Sequence, residues 1–378
     1  MKKVLILGGG FGGIAAAHRL KQELGAEVDV TLVDKRNYFM VGFRKSWALV
    51  GEAPMEQGQR SLNDLTKIGV KVIQDTVSSI DPKTRSAEVN GQRLEADALV
   101  VALGADLMPQ AIRGFKEHAY NVYDSNDIPR AAQALKDFKE GRILIGIFGV
   151  PYKCSPAPFE MALLIDASLK ARGVRASIKV FTPQPMSIPI LGQESCNTIE
   201  GRLSEKGIDF LPNHKATSIE DGEVVFPDDR ESFDLLFGVP PHTAPAVVKE
   251  SGLTDNTGWV TVNAKTLETA YPGVYAIGDV VQIAMPNGKP LPKAGVFAEG
   301  MGETAAARIA AQFKGEKAEA TFKGEGGCYL EVGAGQAMMV TGHFMTEPEP
   351  QVTLTEATAQ YMAEKRAFET DRLKKWFG

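Results

Sequence analysis

The chain has 378 residues, 44% of them hydrophobic and 24% charged, with a formal net charge of −5. That length allows two or three domains with cores of their own, and an acidic balance without a long basic run argues against a nucleic-acid partner. The longest apolar runs, such as "DALVVALGA" and "ILIGIFGV", are of strand length and too short to span a bilayer.

The chain opens on "KKVLILGGGFGGIAAAHRL". Val4–Leu7 reads as a fully buried parallel strand. It starts so near Met1 that no signal peptide fits before it, and the expected location is cytoplasmic. Gly8, Gly10 and Gly13 then make G-x-G-x-x-G, with Gly12 in the same turn, and open a predicted helix through Ala15–Leu20. The first two glycines permit a tight turn and a close approach of backbone N–H groups to a pyrophosphate. Gly13 lets helix and strand pack closely, and the helix N-terminus turns its positive end to the phosphates. The strand "DVTLVD" ends in Asp34, placed as an acid that binds ribose hydroxyls. "ADALVVALGA" (96–105) is a further buried strand, ending in the turn Ala102-Leu103-Gly104.

From there the chain repeats itself. "VLILGGGFGG … VTLVD … EADALVVALG" is echoed by "ILIGIFGVPY … IKVFT … ESFDLLFGVP", each copy with a hairpin-rich meander before its closing strand. The expected units are 1–106 with 250–312, an inserted copy over 107–249, and a C-terminal piece over 313–378. The second copy has lost its phosphate cradle. Gly149-Val150-Pro151-Tyr152-Lys153-Cys154 stands where the glycines belong, and proline removes amide donors. "IKVFT" ends in Thr182-Pro183, without a carboxylate for a ribose, so a nicotinamide dinucleotide is not expected there.

Cys154 precedes a predicted helix that begins around residues 156–158. Its dipole, together with Lys153, lowers a nearby thiol's pKa. Cys196 falls on a predicted helix and reads as structural. His214 and His242 read as satisfied loop residues, and neither the histidines nor the three cysteines carry a metal-ligand spacing. "GVYAIGDVV" (273–281) is a last buried strand ending in Gly278-Asp279, and Lys293 stands just before a helix expected near Gly295. The tail has helical spacing, with Tyr361, Met362, Phe368, Leu373 and Trp376 in one apolar stripe. Lys365, Arg366, Arg372, Lys374 and Lys375 enrich the other side. Such a helix packs on the protein or a partner, the favoured reading, or lies in a membrane interface.

The segments at 96–105 and 273–281 resemble the second and third FAD motifs of the two-dinucleotide-binding, glutathione-reductase-like flavoproteins. The resemblance implies an α/β fold of two Rossmann-like domains plus a C-terminal piece. It implies FAD held by Gly8, Gly10, Gly12, Gly13, Asp34, Lys35, Val77, Ala102, Gly104, Gly278, Asp279 and Lys293. Lys293 and the helix dipole would stabilise the reduced flavin's anion.

"CSPAPFEMA" and "GEGGCYLEVGAG" further resemble the two redox-cysteine segments of the flavocytochrome c sulfide dehydrogenase flavoprotein subunit and of sulfide:quinone oxidoreductases. This likeness implies a redox pair, Cys154 and Cys328, with Glu160 as the acid/base candidate and Lys293 beside the flavin. The implied substrate is sulfide or a small sulfur species, oxidised to polysulfide or sulfur. The implied acceptor is a quinone or a cytochrome, the latter a separate polypeptide since the chain has no Cys-x-x-Cys-His site, and the expected cytoplasmic location favours the quinone. Some relatives tether FAD through a cysteine after the ribose acid; residues 37–52 contain none, so the FAD is expected to be non-covalent. An NAD(P)H-dependent flavoprotein reductase and a non-catalytic flavin-binding interaction protein stay open as alternatives, as does a homodimer.

Overall fold

In the computed structural model, which describes residues 1–378, the first apolar run forms strand β1 (Lys2–Leu7), followed by helix α1 (Phe11–Leu24) and strand β2 (Val28–Asp34). Strands β3 (Val70–Gln74) and β4 (Ala98–Val101) follow. The second copy supplies β5 (Tyr120–Asn121), β6 (Glu140–Ile147), helix α2 (Ala157–Ala171), β7 (Arg175–Phe181), β8 (Ile208–Leu211) and β9 (Leu235–Val239). The chain returns through β10 (Val274–Ala276) and helix α3 (Gly295–Lys314). It ends in β11 (Glu325–Gly333), β12 (Gln336–His343), β13 (Gln351–Leu354) and helix α4 (Ala359–Phe377).

Two five-stranded parallel sheets result, in the orders β10-β4-β1-β2-β3 and β5-β9-β6-β7-β8. They match strand for strand, so the repeat legible in the sequence is a repeat of topology. The edge strands differ in origin: β10 closes the first sheet from the far side of the insertion, while β5 comes before the rest of its own sheet. Each central strand is apolar on both faces, because helices and meanders cover both sides of the sheet. Two chain passages cross between the sheets, and they pair with each other as Asp106–Leu107 against His242–Thr243.

The C-terminal piece is an antiparallel sheet, β11-β12-β13, laid over α2. Leu330, Val332, Met338 and Val340 from its inner face join the core of the second unit, each stabilising by about 1.5–3 kcal/mol on full burial. Helix α4 then runs back across the first unit, where Leu373, Trp376 and Phe377 enter its core and Met362 packs with Trp47. The tail stripe is thus turned to the protein's own body. Lys365 corrects the sequence reading: expected on the charged outer side, it is fully buried, because two carboxylates meet its ammonium there. No helix is long and apolar enough to cross a membrane.

Candidate active site

Strand β1 passes into α1 through three residues only, Gly8, Gly9 and Gly10. Gly8 has φ +113°, and a Cβ there would lie 2.1 Å from the Ala102 carbonyl oxygen. At Gly13 a Cβ would lie 1.8 Å from the Gly8 oxygen, so strand, turn and helix close up only with glycine. Gly10, by contrast, has nothing within 4 Å of a Cβ position: the space before the helix N-terminus is open. The Asp34 carboxylate borders it, accepting the Gly9 N–H at 2.7 Å and the Arg36 N–H at 2.8 Å. Ala102 donates its N–H to Leu7, and Gly104, at φ +70°, completes that turn. Gly12 sits where α1 crosses α3, its carbonyl 2.2 Å from a Cβ position on Gly302. An open cradle at a helix N-terminus, edged by an acid, fits a dinucleotide. Lys35 is exposed beside it. Val77 is buried in a hairpin opposite Val89, so its side chain belongs to the core.

The corresponding turn of the second unit is longer, with nine residues between Ile147 and Ala157. Gly149 packs on Pro241, and the turn then reaches across to the first unit, where Lys153 and Lys293 form a parallel bridge. Cys154 donates its N–H to the Lys293 carbonyl at 2.8 Å, and its own carbonyl accepts the Tyr123 hydroxyl at 3.0 Å. These bonds hold Cys154 at φ +56°, a conformation costly to a side chain other than glycine's.

Cys328 comes from β11, opposite Val340. Its thiol borders the same pocket as that of Cys154, with the S–H directed to the Tyr329 carbonyl at 3.7 Å. Cys328 pulls the Cys154 thiol below its ordinary range, with help from Lys45 and Lys365 and against burial and Glu160. Cys154, reinforced by burial, pushes Cys328 up. Both sulfurs border a largely apolar pocket of about 470 Å³, its open mouth included, lined by Ile188, Leu191, Val296, Phe297 and Phe344 among others.

Glu160 is neither exposed nor free. At 2% exposure it accepts Lys365 Nζ at 2.7 Å and the Glu331 N–H at 2.9 Å. Glu331 takes Lys365 at 3.0 Å and the Trp47 indole N–H at 2.8 Å. Burial works against the Lys365 charge, but the two carboxylates prevail and its pKa is raised. Lys293 is buried beside the Gly278-Asp279 turn. Its ammonium donates to the Asp279 and Val281 carbonyls, at 2.7 and 2.9 Å, and lies 3.5 Å from the Trp259 ring centroid. Burial lowers it to about 8. It braces the Gly278-Asp279 turn, where burial raises the Asp279 carboxyl against the pull of Lys153 and Lys293.

Lys45, which the sequence reading passed over, follows β2 in a short helix, Arg44–Leu49. It lies near Cys154, and burial and Lys153 bring it to about 8. It belongs to the segment read only for the cysteine it lacks. Cys196 is buried and gives its S–H to the Ile188 carbonyl. His214 donates Nδ1–H to Pro212, and His242 does the same to Pro240, but His242 Nε2 is buried without a partner. The expectation of a satisfied histidine holds for only half of that ring.

Residues 2–308 match the family described as pyridine nucleotide-disulphide oxidoreductase. The chain is 30% identical over 305 residues to the mitochondrial sulfide:quinone oxidoreductase of Mus musculus, covering 74% of this chain. It spans 66% of that protein's length. It is 26% identical over 344 residues to the type II NADH:quinone oxidoreductase of Staphylococcus aureus, covering 84% of both. The structure of the sulfide:quinone oxidoreductase from Aquifex aeolicus superposes with a TM-score of 0.89 at 23% identity, covering all of this chain and 92% of that one, which establishes the shared fold.

Proposed function

Because the chain belongs to the pyridine nucleotide-disulphide oxidoreductase family, a family of FAD-binding flavoproteins, we propose that it is an FAD-dependent sulfide dehydrogenase working through Cys154 and Cys328, with quinone as the favoured acceptor. The observation that carries this reading is that Cys154 and Cys328, 174 residues apart in sequence, line one apolar pocket. In the oxidised pair the sulfurs form a disulfide. Hydrosulfide attacks the Cys328 sulfur and the Cys154 thiolate leaves, since the thiol of lower pKa is the better leaving group. One S–S bond breaks and one forms, giving a persulfide on Cys328 and a thiolate on Cys154; the sulfide sulfur is oxidised as the disulfide is reduced. Lys45 and Lys365 hold the charge left on Cys154.

The Gly8–Gly13 turn and Asp34 would hold the FAD, with the Gly278-Asp279 turn at its other end. Bound FAD supplies a two-electron acceptor for reoxidation of the cysteine pair. The apolar lining suits uncharged sulfur as it accumulates, and excludes water from the persulfide.

The likeness to an NADH:quinone oxidoreductase brings a second reading, reduction by NADH. The proline-bearing turn at 148–156 opposes it, because it offers no phosphate cradle. One experiment separates the two. Sulfide added anaerobically to the FAD-loaded protein is expected to bleach the flavin, and NADH to leave it oxidised. Rapid bleaching by NADH alone would move the chain to the reductase class.

A further inference from the structure

The pocket that both cysteines border is far roomier than sulfide needs. Hydrosulfide has one heavy atom; the pocket, its mouth included, is about 470 Å³ and almost wholly apolar. One wall is the loop that follows β7, the stretch that presents the ribose acid in a dinucleotide-binding domain. Here it turns Ile188, Ile190 and Leu191 into the pocket instead. The loop is pinned to the helix Gly192–Glu205. Ser187 donates its N–H to the Glu200 carboxylate at 2.8 Å, and Cys196 gives its S–H to the Ile188 carbonyl at 3.1 Å. Phe297 of α3 and Phe344, just past β12, meet edge-on with 5.0 Å between centroids and make another wall. Only Cys154, Ser155, Lys293 and Cys328 bring polar side-chain atoms to the lining, and the Lys293 ammonium is taken by two carbonyls and the Trp259 ring. Gly8–Gly13, Asp34, Gly278 and Asp279 do not line this pocket, so it is distinct from the dinucleotide cradle. Both thiols are partly exposed, and a ligand reaches them through the open mouth.

We propose that short alkanethiols are a second class of electron donor at this site, the alkyl chain lying in the apolar pocket and the sulfur attacking Cys328. This rests on the disulfide-to-flavin chemistry of the sulfide reading above and widens its substrate class. The thiol reacts as thiolate, its proton released to water. It attacks the Cys328 sulfur: the bond between Cys154 and Cys328 breaks, a mixed disulfide Cys328–S–S–R forms, and Cys154 leaves as thiolate. A second thiolate attacks the alkyl-bearing sulfur and releases R–S–S–R and the Cys328 thiolate. Two thiols have then been oxidised and the cysteine disulfide reduced. Reoxidation of the pair passes its two electrons, with two protons, to bound FAD. A carbon chain against Ile188, Leu191 and Phe344 gains apolar burial that hydrosulfide cannot. A carboxylate on that chain would meet no free cation and would lose its water uncompensated, so charged thiols are excluded.

The test is anaerobic rapid mixing of the FAD-loaded full chain with sodium sulfide, with the series from methanethiol to butanethiol, and with mercaptopropionate. The alkanethiols are expected to bleach the flavin, the half-saturating concentration falling about four-fold per added methylene, as burial of one CH₂ predicts. Mercaptopropionate, which is propanethiol with a carboxylate in place of its methyl group, should leave the flavin oxidised at concentrations where propanethiol saturates. Quenched with acid during the reaction, the protein should carry a propyl mixed disulfide on Cys328 by peptide mass, and dipropyl disulfide should accumulate with the reduced flavin. Cys154→Ser and Cys328→Ser should both stay oxidised. A flat dependence on chain length, or equal bleaching by mercaptopropionate, would overturn the proposal, since the alkyl group would then lie outside the pocket. Thiol-driven bleaching that survives either cysteine substitution would overturn it as well. A flavin bleached by sulfide and not by propanethiol sinks this proposal alone, whereas one that both leave oxidised sinks it together with the sulfide reading.

Discussion

A cysteine in left-handed backbone, lining one pocket with a second cysteine, is a poor candidate for mere packing. Cys154→Ser and Cys328→Ser are each expected to abolish sulfide-driven bleaching while FAD stays bound, since neither residue edges the Gly8–Gly13 cradle. Cys196→Ser should leave the rate near wild type, because its thiol only caps the Ile188 carbonyl. Either redox-cysteine variant reducing flavin at the wild-type rate would contradict the proposed chemistry. The effect of Cys328 on Cys154 also makes a prediction in pH. A lowered pKa means that the Cys154 thiolate appears at lower pH than an ordinary thiol near 8.5. In the reduced protein, alkylation of Cys154 by iodoacetamide should titrate below that value, and Cys328→Ala should move the midpoint upward. A midpoint unmoved by Cys328→Ala would mean that Cys328 does not act on the Cys154 thiol in solution.

At the scale of elements, helix α4 is a clasp. Its Lys365 reaches α2 through Glu160 and β11 through Glu331, while Glu369 is paired with Arg44 on the helix that carries Lys45. One charged residue on the tail therefore ties down both strands of chain that present the cysteines. Lys365→Met would strand two buried carboxylates, and about 3–5 kcal/mol of stability should be lost in urea unfolding. A loss below about 1 kcal/mol would show that the triad relaxes to water instead. The pH sign follows from the raised Lys365 pKa. Its stabilisation is complete below the ordinary lysine value of 10.5 and is lost as pH climbs through the higher folded-state value. Lys365→Met should also raise the Cys154 midpoint in the alkylation assay, since Lys365 favours that thiolate.

The whole molecule is one topology used twice with opposite outcomes. The first unit keeps a three-residue turn and an open cradle; the second spends nine residues on a turn that carries a thiol into the first unit's territory. The FAD is expected to be held by fold and not by a bond, since residues 37–52 contain no cysteine. Acid or heat should release FAD into the supernatant, where it is measured by absorbance after the protein is pelleted. Flavin retained on the precipitated chain would contradict the reading of residues 37–52. Saturating FAD should also raise the midpoint of thermal unfolding, because a ligand at a hundred times its Kd adds about 2.7 kcal/mol to the native state.

The sequence alone determined what depends on neighbours along the chain. A buried strand, a glycine turn and a helix start are set within a dozen residues by sterics and hydrogen bonding, so the repeated unit, the cradle at Gly8–Gly13 and the loss of its counterpart at Gly149–Cys154 were all legible. Partners from distant segments were not. Lys365 reads as surface charge until Glu160 and Glu331 are brought to it; Lys45 is silent until the turn at Cys154 folds over it. The resemblance to known redox segments suggested that Cys154 and Cys328 belong together, but nothing in their spacing sets how the surroundings shift each thiol. That was decided by tertiary structure, because the charge state of a buried group depends on which dipoles and ions surround it, and here they come from four separate stretches of chain.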